Sequence, residues 1–283
     1  MSLLSGGRGR LGRLARGTVT ACLLASAGCS AADADRETSG AGAAVPAGVL
    51  DLSPWKLALP EPADDGHSVE LAGPQLQEFS SPSFRLDAAG DTVLFTVPVG
   101  GFVQAGSQFA RTELRELNPD GSRAAWSAAN GRHVLAVEGA ILAVPPVHPS
   151  IVAAQIHGTD EYIALIRLDR GRLYVKTNDS ITGETLDPDY RLGRRYRLRI
   201  LVEQDEAVVN YAALTGEGNE PPIQSTVRLP VSCRRCYFKV GAYLQTNQTL
   251  GDDASSQGTV AVSSLRVKHE EAANSVATSS PSR

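Results

Sequence analysis

The chain has 283 residues, 42% of them hydrophobic and 20% charged, with 31 acids against 27 bases. That is enough apolar material for one full core, and the acidic balance excludes a general nucleic-acid binder. Only 5% of residues are aromatic and there are two tryptophans, which argues against a carbohydrate-binding module that stacks sugars on a row of exposed rings.

Residues 1–28 contain Arg8, Arg10, Arg13 and Arg16, no acid, and then an apolar stretch from Val19 to Ala27 that ends at Gly28-Cys29. A basic start, a short apolar run and small residues before a cut mark an export signal, since a spanning helix needs roughly 20 apolar residues. Ser26-Ala27-Gly28-Cys29 resembles a bacterial lipobox with Ser26 in the place usually held by leucine, so Cys29 is expected to be the lipidated first mature residue, with free secretion as the alternative. The membrane is then met only through that lipid. Without residues 1–28 the count is 23 bases against 31 acids, a net charge of −8, so any attraction for a polyanion must come from a local basic strip. Residues 29–49, rich in Ala, Gly, Ser and Asp, read as a flexible linker and 270–283 as a disordered tail, leaving one folded domain at 50–269.

Within that domain strand-like runs follow one another: Thr92 to Val97, His133 to Leu142, Ile151 to His157, Tyr162 to Leu168, Leu173 to Thr177, Tyr196 to Val202, Ala207 to Ala213, Tyr237 to Gln245 and Thr259 to Lys268. Turn signals separate them, among them Asp120-Gly121, Asn130-Gly131 and Asp169-Arg170-Gly171. No segment sustains a helical period, so the pattern predicts an all-β antiparallel sandwich or jelly roll. The stretch Asn178 to Asp189, rich in Asp, Thr and Gly, reads as a mobile loop over a cleft. Cys233 and Cys236 are the only cysteines beyond residue 29. No second pair or histidine cluster completes a zinc site, and in an oxidising compartment a structural disulfide between them is expected.

Three short segments carry the chemistry: Arg111-Thr112-Glu113-Leu114-Arg115, Gln155-Ile156-His157 and Tyr237-Phe238-Lys239-Val240-Gly241-Ala242-Tyr243-Leu244-Gln245. On a strand, alternation sends Arg111, Glu113, Arg115, Gln155, His157, Lys239, Tyr243 and Gln245 to one wet face. Cations, an amide, an imidazole and a phenol together suit a carboxylate-bearing polymer and a proton transfer. Each segment alone has an ordinary reading: a surface ion-pair ladder for Arg-x-Glu-x-Arg, strand decoration for Gln-x-His, and cross-strand aromatics around a glycine for the third. Their ordered coexistence outweighs three separate coincidences. The remaining histidines, His67, His133, His148 and His269, read as structural or exposed.

The three blocks, in this order, resemble the signatures of the polysaccharide lyase family 7 alginate lyases, and Trp55-Lys56-Leu57-Ala58-Leu59-Pro60 resembles that family's opening strand. The resemblance implies a concanavalin-like β-jelly roll of two curved antiparallel sheets, a cleft across the concave sheet, and β-elimination on a 1,4-linked polyuronate. It assigns Arg111, Gln155 and His157 to neutralising the uronate carboxylate and Tyr243 to protonating the leaving oxygen. Tyr243 serves as both base and acid on mannuronate, whereas His157 is the better-placed base on guluronate. Nearby cations are expected to lower the pKa of Tyr243. Glu113 is expected to orient the arginines, and Arg115, Lys239 and Gln245 to grip neighbouring sugars. Isoleucine in Gln-Ile-His goes with guluronate-containing blocks in that family. No metal motif is evident, no cofactor is needed, and a monomer is expected. Glucuronan lyase on the same fold and a non-catalytic binding module are the alternatives. A retaining glycoside hydrolase is disfavoured because Glu203-Gln204-Asp205-Glu206-Ala207-Val208 lacks the final acid of the usual paired-carboxylate strand.

Overall fold

The computed structural model describes residues 44–159, 161–178, 182–214 and 222–271. The export segment, Cys29, most of the linker and nearly all of the tail lie outside the described residues. In chain order the strands are β1 (Trp55–Pro62), β2 (Ser68–Ala72), β3 (Phe84–Leu86), β4 (Val93–Pro98), β5 (Arg111–Glu116), β6 (Arg132–Ala143), β7 (Ser150–His157) and β8 (Tyr162–Asp169). They continue as β9 (Arg172–Thr177), β10 (Glu184–Asp187), β11 (Arg195–Glu203), β12 (Glu206–Ala213), β13 (Ser225–Pro230), β14 (Tyr237–Leu244) and β15 (Gln257–Glu270). One short helix, α1 (Gly73–Gln77), follows β2.

The strands form two antiparallel sheets, in the orders β10-β9-β8-β7-β14-β5-β1-β2 and β13-β12-β11-β6-β15-β4-β3. Consecutive strands such as β4, β5, β6 and β7 alternate between the sheets, as in a jelly roll, and this crossing brings β5, β7 and β14 side by side although they are distant in sequence. Trp55, Leu57, Leu114, Ile156, Phe238 and Val240 from the first sheet face Phe95, Val137, Leu198, Val260 and Val262 from the second, all buried. Each such side chain contributes about 1.5–3 kcal/mol by leaving water.

Four strands escaped the sequence pattern, and all four are sheet edges: β2 and β10 in one sheet, β3 and β13 in the other. An edge strand is paired on one side only and is short, so its buried positions are too few to impose alternation. β10 corrects the expectation of a mobile loop at Asn178 to Asp189. Leu186 and Asp187 are buried there, and Asp187 accepts hydrogen bonds from Tyr211 (2.7 Å) and Arg194 (2.8 Å), which pins the segment to the other sheet. Residues 179–181 of that stretch lie outside the described residues. At the other end of the domain, the chain is already packed at Pro46, four residues before Leu50, through a 3-10 turn Pro46–Gly48.

The inward side of β5 carries one acid, Glu116, which is buried and accepts from the indole of Trp126 (3.0 Å), the backbone of Phe238 (2.8 Å) and the imidazole of His269. His269 in turn meets His133, ring nitrogen to ring nitrogen at 2.7 Å. These histidines tie the sheets together at the end of the sandwich where β14 begins.

Candidate active site

Register places the three chemical segments. Across β5 and β14 the pairs are Arg111–Tyr243, Glu113–Gly241 and Arg115–Lys239; across β14 and β7 they are Lys239–Gln155 and Tyr237–His157. Lys56 of β1 pairs with Arg115 and extends the row. Adjacent strands lie about 4.8 Å apart, so all these side chains share one patch on the face turned away from the core. Gly241 is the close-approach position. Its φ is +146°, and a Cβ there would stand 2.4 Å from the Thr112 carbonyl oxygen and 2.8 Å from Glu113 Cα. The same Cβ would stand 3.0 Å from the buried Phe95 ring, so only glycine lets β14 lie this close to β5.

Glu113 organises the patch. It is 1% exposed and accepts from Lys239 Nζ at 2.5 Å, from Arg111 at 3.5 Å and from the Gln155 amide. Burial pushes the Glu113 carboxyl up, but Lys239 and Arg111 outweigh it and hold the group below the usual carboxylate range. Burial pushes Lys239 down to about 8, with Glu113 opposing. Glu113, Gln155 and Lys239, at 1%, 2% and 7% exposure, are therefore the floor of the patch rather than members of an open wet face. The expected role of Glu113 widens accordingly, from orienting arginines to holding an amide and an ammonium as well. Lys239 is too deep to grip a neighbouring sugar as a solvated cation, and acts through its charge.

Arg111 lies over the Tyr243 ring, Cζ to centroid 4.0 Å, and also donates to Ser107. Ser107 and Gln245 lie close enough to the Tyr243 hydroxyl to favour its ionised form slightly. Burial raises its pKa, and Arg111 offsets this only in part, which corrects the expectation of a lowered value: desolvation of the phenolate exceeds the pull of the cations. Tyr243 is thus a protonated donor at neutral pH. His157 Nδ1 lies 2.7 Å from the Gly158 carbonyl oxygen. A carbonyl only accepts, so Nδ1 carries the hydrogen and Nε2 keeps the lone pair. Burial also pushes the imidazole below its ordinary value, so the neutral ring is a competent base.

Tyr237 was not singled out from the sequence, although it shares the parity of Lys239 and Tyr243. Its ring stacks on His157 (centroids 5.1 Å apart, 20° between planes), its hydroxyl lies 3.0 Å from His157 Nδ1, and Arg115 Cζ sits 3.9 Å over its other side. Arg115 Nη1 is buried with no hydrogen-bond partner, a donor left for a ligand. Ser107, in a loop, had no signal in the sequence. Gln245 lies just past β14, and its side-chain amide donates to the Leu244 carbonyl at 2.7 Å. Cys233 and Cys236 stand sulfur to sulfur with Cα atoms 5.7 Å apart, a span that suits a disulfide, in the turn leading into β14.

A sheet face that gathers guanidiniums, an ammonium and an amide beside a neutral imidazole and a protonated phenol has the donors, base and acid that a carbon–oxygen lyase for polyuronates needs. The chain belongs to the alginate lyase family, whose family model matches residues 50–269. Among solved structures it is similar to alginate lyase AlgAT5 from polysaccharide lyase family 7 (32% identity, 80% of this chain and 99% of that one, TM-score 0.71) and to the alginate lyase of a Corynebacterium species (31%, 80% and 98%, 0.71). It is also similar to a variant of alginate lyase A1-II' in complex with product (GGG) (25%, 81% and 100%, 0.65). The comparison with curated proteins finds no match. The protein is a family 7 polysaccharide lyase with activity on alginate.

Proposed function

We propose that this lyase is exported, acts as a monomer and prefers guluronate-containing blocks, with His157 as base and Tyr243 as acid. Arg111 and Gln155, held by Glu113, hydrogen-bond the uronate carboxylate at the cleavage position and, with Lys239 beneath, stabilise the charge that builds on it when C5 loses its proton. His157 Nε2 takes that proton. The C5–H electron pair becomes the C4–C5 double bond, the C4–O4 bond breaks, and O4 takes the Tyr243 proton. Arg115 and Gln245 flank the reacting sugar. The observation that carries the preference is the division of labour: a phenol held protonated and an imidazole held neutral are two groups for two jobs, which suits guluronate, where the C5 proton and O4 lie on opposite sides. On mannuronate one group must do both, and the raised pKa of Tyr243 disfavours it as a base. The likeness to A1-II' in complexes with product (GGG) and substrate (GGMG) supports an oligouronate on this face. Export and a lipid at Cys29 rest on residues 1–29 alone.

The test is ultraviolet absorbance of the new conjugated double bond with polyguluronate, polymannuronate and glucuronan in parallel. The expected result is a rise that is fastest on polyguluronate and falls by about 10²–10⁴-fold in Tyr243→Phe. A faster rise on polymannuronate or glucuronan would overturn the preference, and an undiminished rate in the variant would overturn the role of Tyr243. Palmitate labelling in a bacterial host, lost in Cys29→Ser, tests the anchor.

A further inference from the structure

The seven-stranded sheet turns its other face to solvent, on the side of the sandwich away from Tyr243. Along β11, Arg195, Arg197 and Arg199 alternate with buried Tyr196, Leu198 and Ile200, so all three guanidiniums leave on that outer face. The register continues from Arg199 through Ala136 of β6 to Arg266 of β15, which puts Arg266 two strand spacings, about 9.6 Å, from Arg199. Between them stands the small side chain of Ala136. One open groove of about 400 Å³ runs past Ala136, Glu138, Ser264, Arg197 and Arg266, and a neighbouring one of about 240 Å³ past Gly139, Ala140, Leu142, Asp87 and Arg195.

The strand-borne acids of this face are already committed: Glu138 to Arg197, Glu203 to Arg132, Glu206 to Arg228 and Glu270 to Lys268. Among the described residues Arg195, Arg199 and Arg266 have no carboxylate partner. A basic strip of this kind on a chain that carries −8 without its first 28 residues is what a polyanion must find in order to bind at all. Planar guanidiniums match carboxylates two-point to two-point, and the small side chain of Ala136 leaves room for a sugar ring between Arg199 and Arg266.

We infer that this arginine-lined groove is a second, non-catalytic binding surface for polyuronate. The choice of ligand rests on the polyuronate reading of the active site. The two sites lie on opposite faces, so a short oligosaccharide occupies one at a time, whereas a long or gelled polymer engages both and holds the enzyme by linked binding.

The test uses the full chain with Tyr243→Phe, which prevents turnover, run by affinity electrophoresis through gels containing polyguluronate, with and without the triple change Arg195→Gln, Arg199→Gln and Arg266→Gln. The apparent affinity for polymer is expected to fall on the order of 10²-fold, the lower end of the gain from linked binding. With Tyr243 restored, the triple variant is expected to keep the parent rate on a uronate tetrasaccharide. Unchanged retardation in the triple variant would overturn the inference, and so would an equal loss of tetrasaccharide turnover. Retardation of the parent in dextran sulfate as strong as in polyguluronate would leave only a general polyanion patch and overturn it too. Retardation that depends on the three arginines, in a protein that forms no unsaturated product from any uronan, would support this surface while refuting the lyase mechanism.

Discussion

Replacing Glu113 by Gln tests the centre of the active site. The change keeps shape but removes the only acid that pairs with Lys239 among the described residues, and both partners are buried, with side-chain exposures of 1% and 9%. Breaking a buried ion pair from one side costs about 3–5 kcal/mol, and for a domain of this size a loss of about 3–5 kcal/mol lowers Tm by about 6–20 °C. Lys239 limits the damage by releasing its proton, because its pKa, already about 8 in the parent, falls further once the carboxylate is gone. The sign of the pH dependence follows. Lys239 titrates lower in the fold than in the unfolded chain, and lower still in the variant. The variant therefore regains stability as pH rises toward 8, and its deficit is larger at pH 6 than at pH 9. Arg111 and Gln155 lose their common acceptor at the same time, and misplacing them by about 1 Å costs about 10²-fold in rate. Differential scanning calorimetry at the two pH values and initial rates on polyguluronate check both parts. A variant that melts within about 2 °C of the parent at neutral pH and keeps its rate would show that Glu113 does not hold the site.

The pH–rate profile should fall on the acid side as His157 takes up a proton, below the ordinary histidine value of 6.5 because burial lowers it, and on the basic side as Lys239 loses its charge near 8. Tyr243, pushed upward, stays protonated through both limbs. A rate that is flat beyond about pH 9 would exclude Lys239 as a contributor. Gly241→Ala forces a Cβ to 2.4 Å from the Thr112 carbonyl at a φ of +146°. Crowding of this kind costs about 1–3 kcal/mol, with backbone strain in addition, and urea unfolding should show it together with a lower rate; an unchanged midpoint would mean that β14 and β5 do not need this close approach.

The interior strands were legible in the sequence because a strand buried on one face must alternate, and Arg111 to Arg115 or Tyr196 to Ile200 do so without interruption. The four edge strands were not, since pairing on one side and a few buried residues leave no pattern to read. Parity alone identified the side chains sharing the active face, because a strand offers only two directions. Depth was not legible. Nothing in the spacing of Glu113, Gln155 and Lys239 says that the carboxylate lies beneath its partners, because burial depends on what β1 and β7 bring alongside. The error over Tyr243 has the same origin: the neighbouring cations were visible in the sequence, whereas the desolvation that outweighs them depends on packing in three dimensions. Tyr237 had the right parity, but its value to the site, a ring between Arg115 and His157, depends on the pairing of β14 with both β5 and β7.

An anion buried under a site for anions is at first sight opposed to function, since Glu113 repels the carboxylate that the substrate brings. The balance of charge explains its place. Arg111, Arg115 and Lys239 on three neighbouring positions would repel one another, and Lys239, buried without a counterion, would lose its proton at a lower pH. With Glu113 in place the ammonium persists to about 8, and the donors are fixed before substrate arrives. The patch still carries more positive than negative charge, so it attracts a uronate. On the proposed mechanism the donors do not have to reorganise when charge develops at C5, so their stabilisation is largest in the transition state, where it accelerates the reaction. The substrate carboxylate thus completes an arrangement that Glu113 has already begun, and the repulsion between the two is the cost of keeping Lys239 charged.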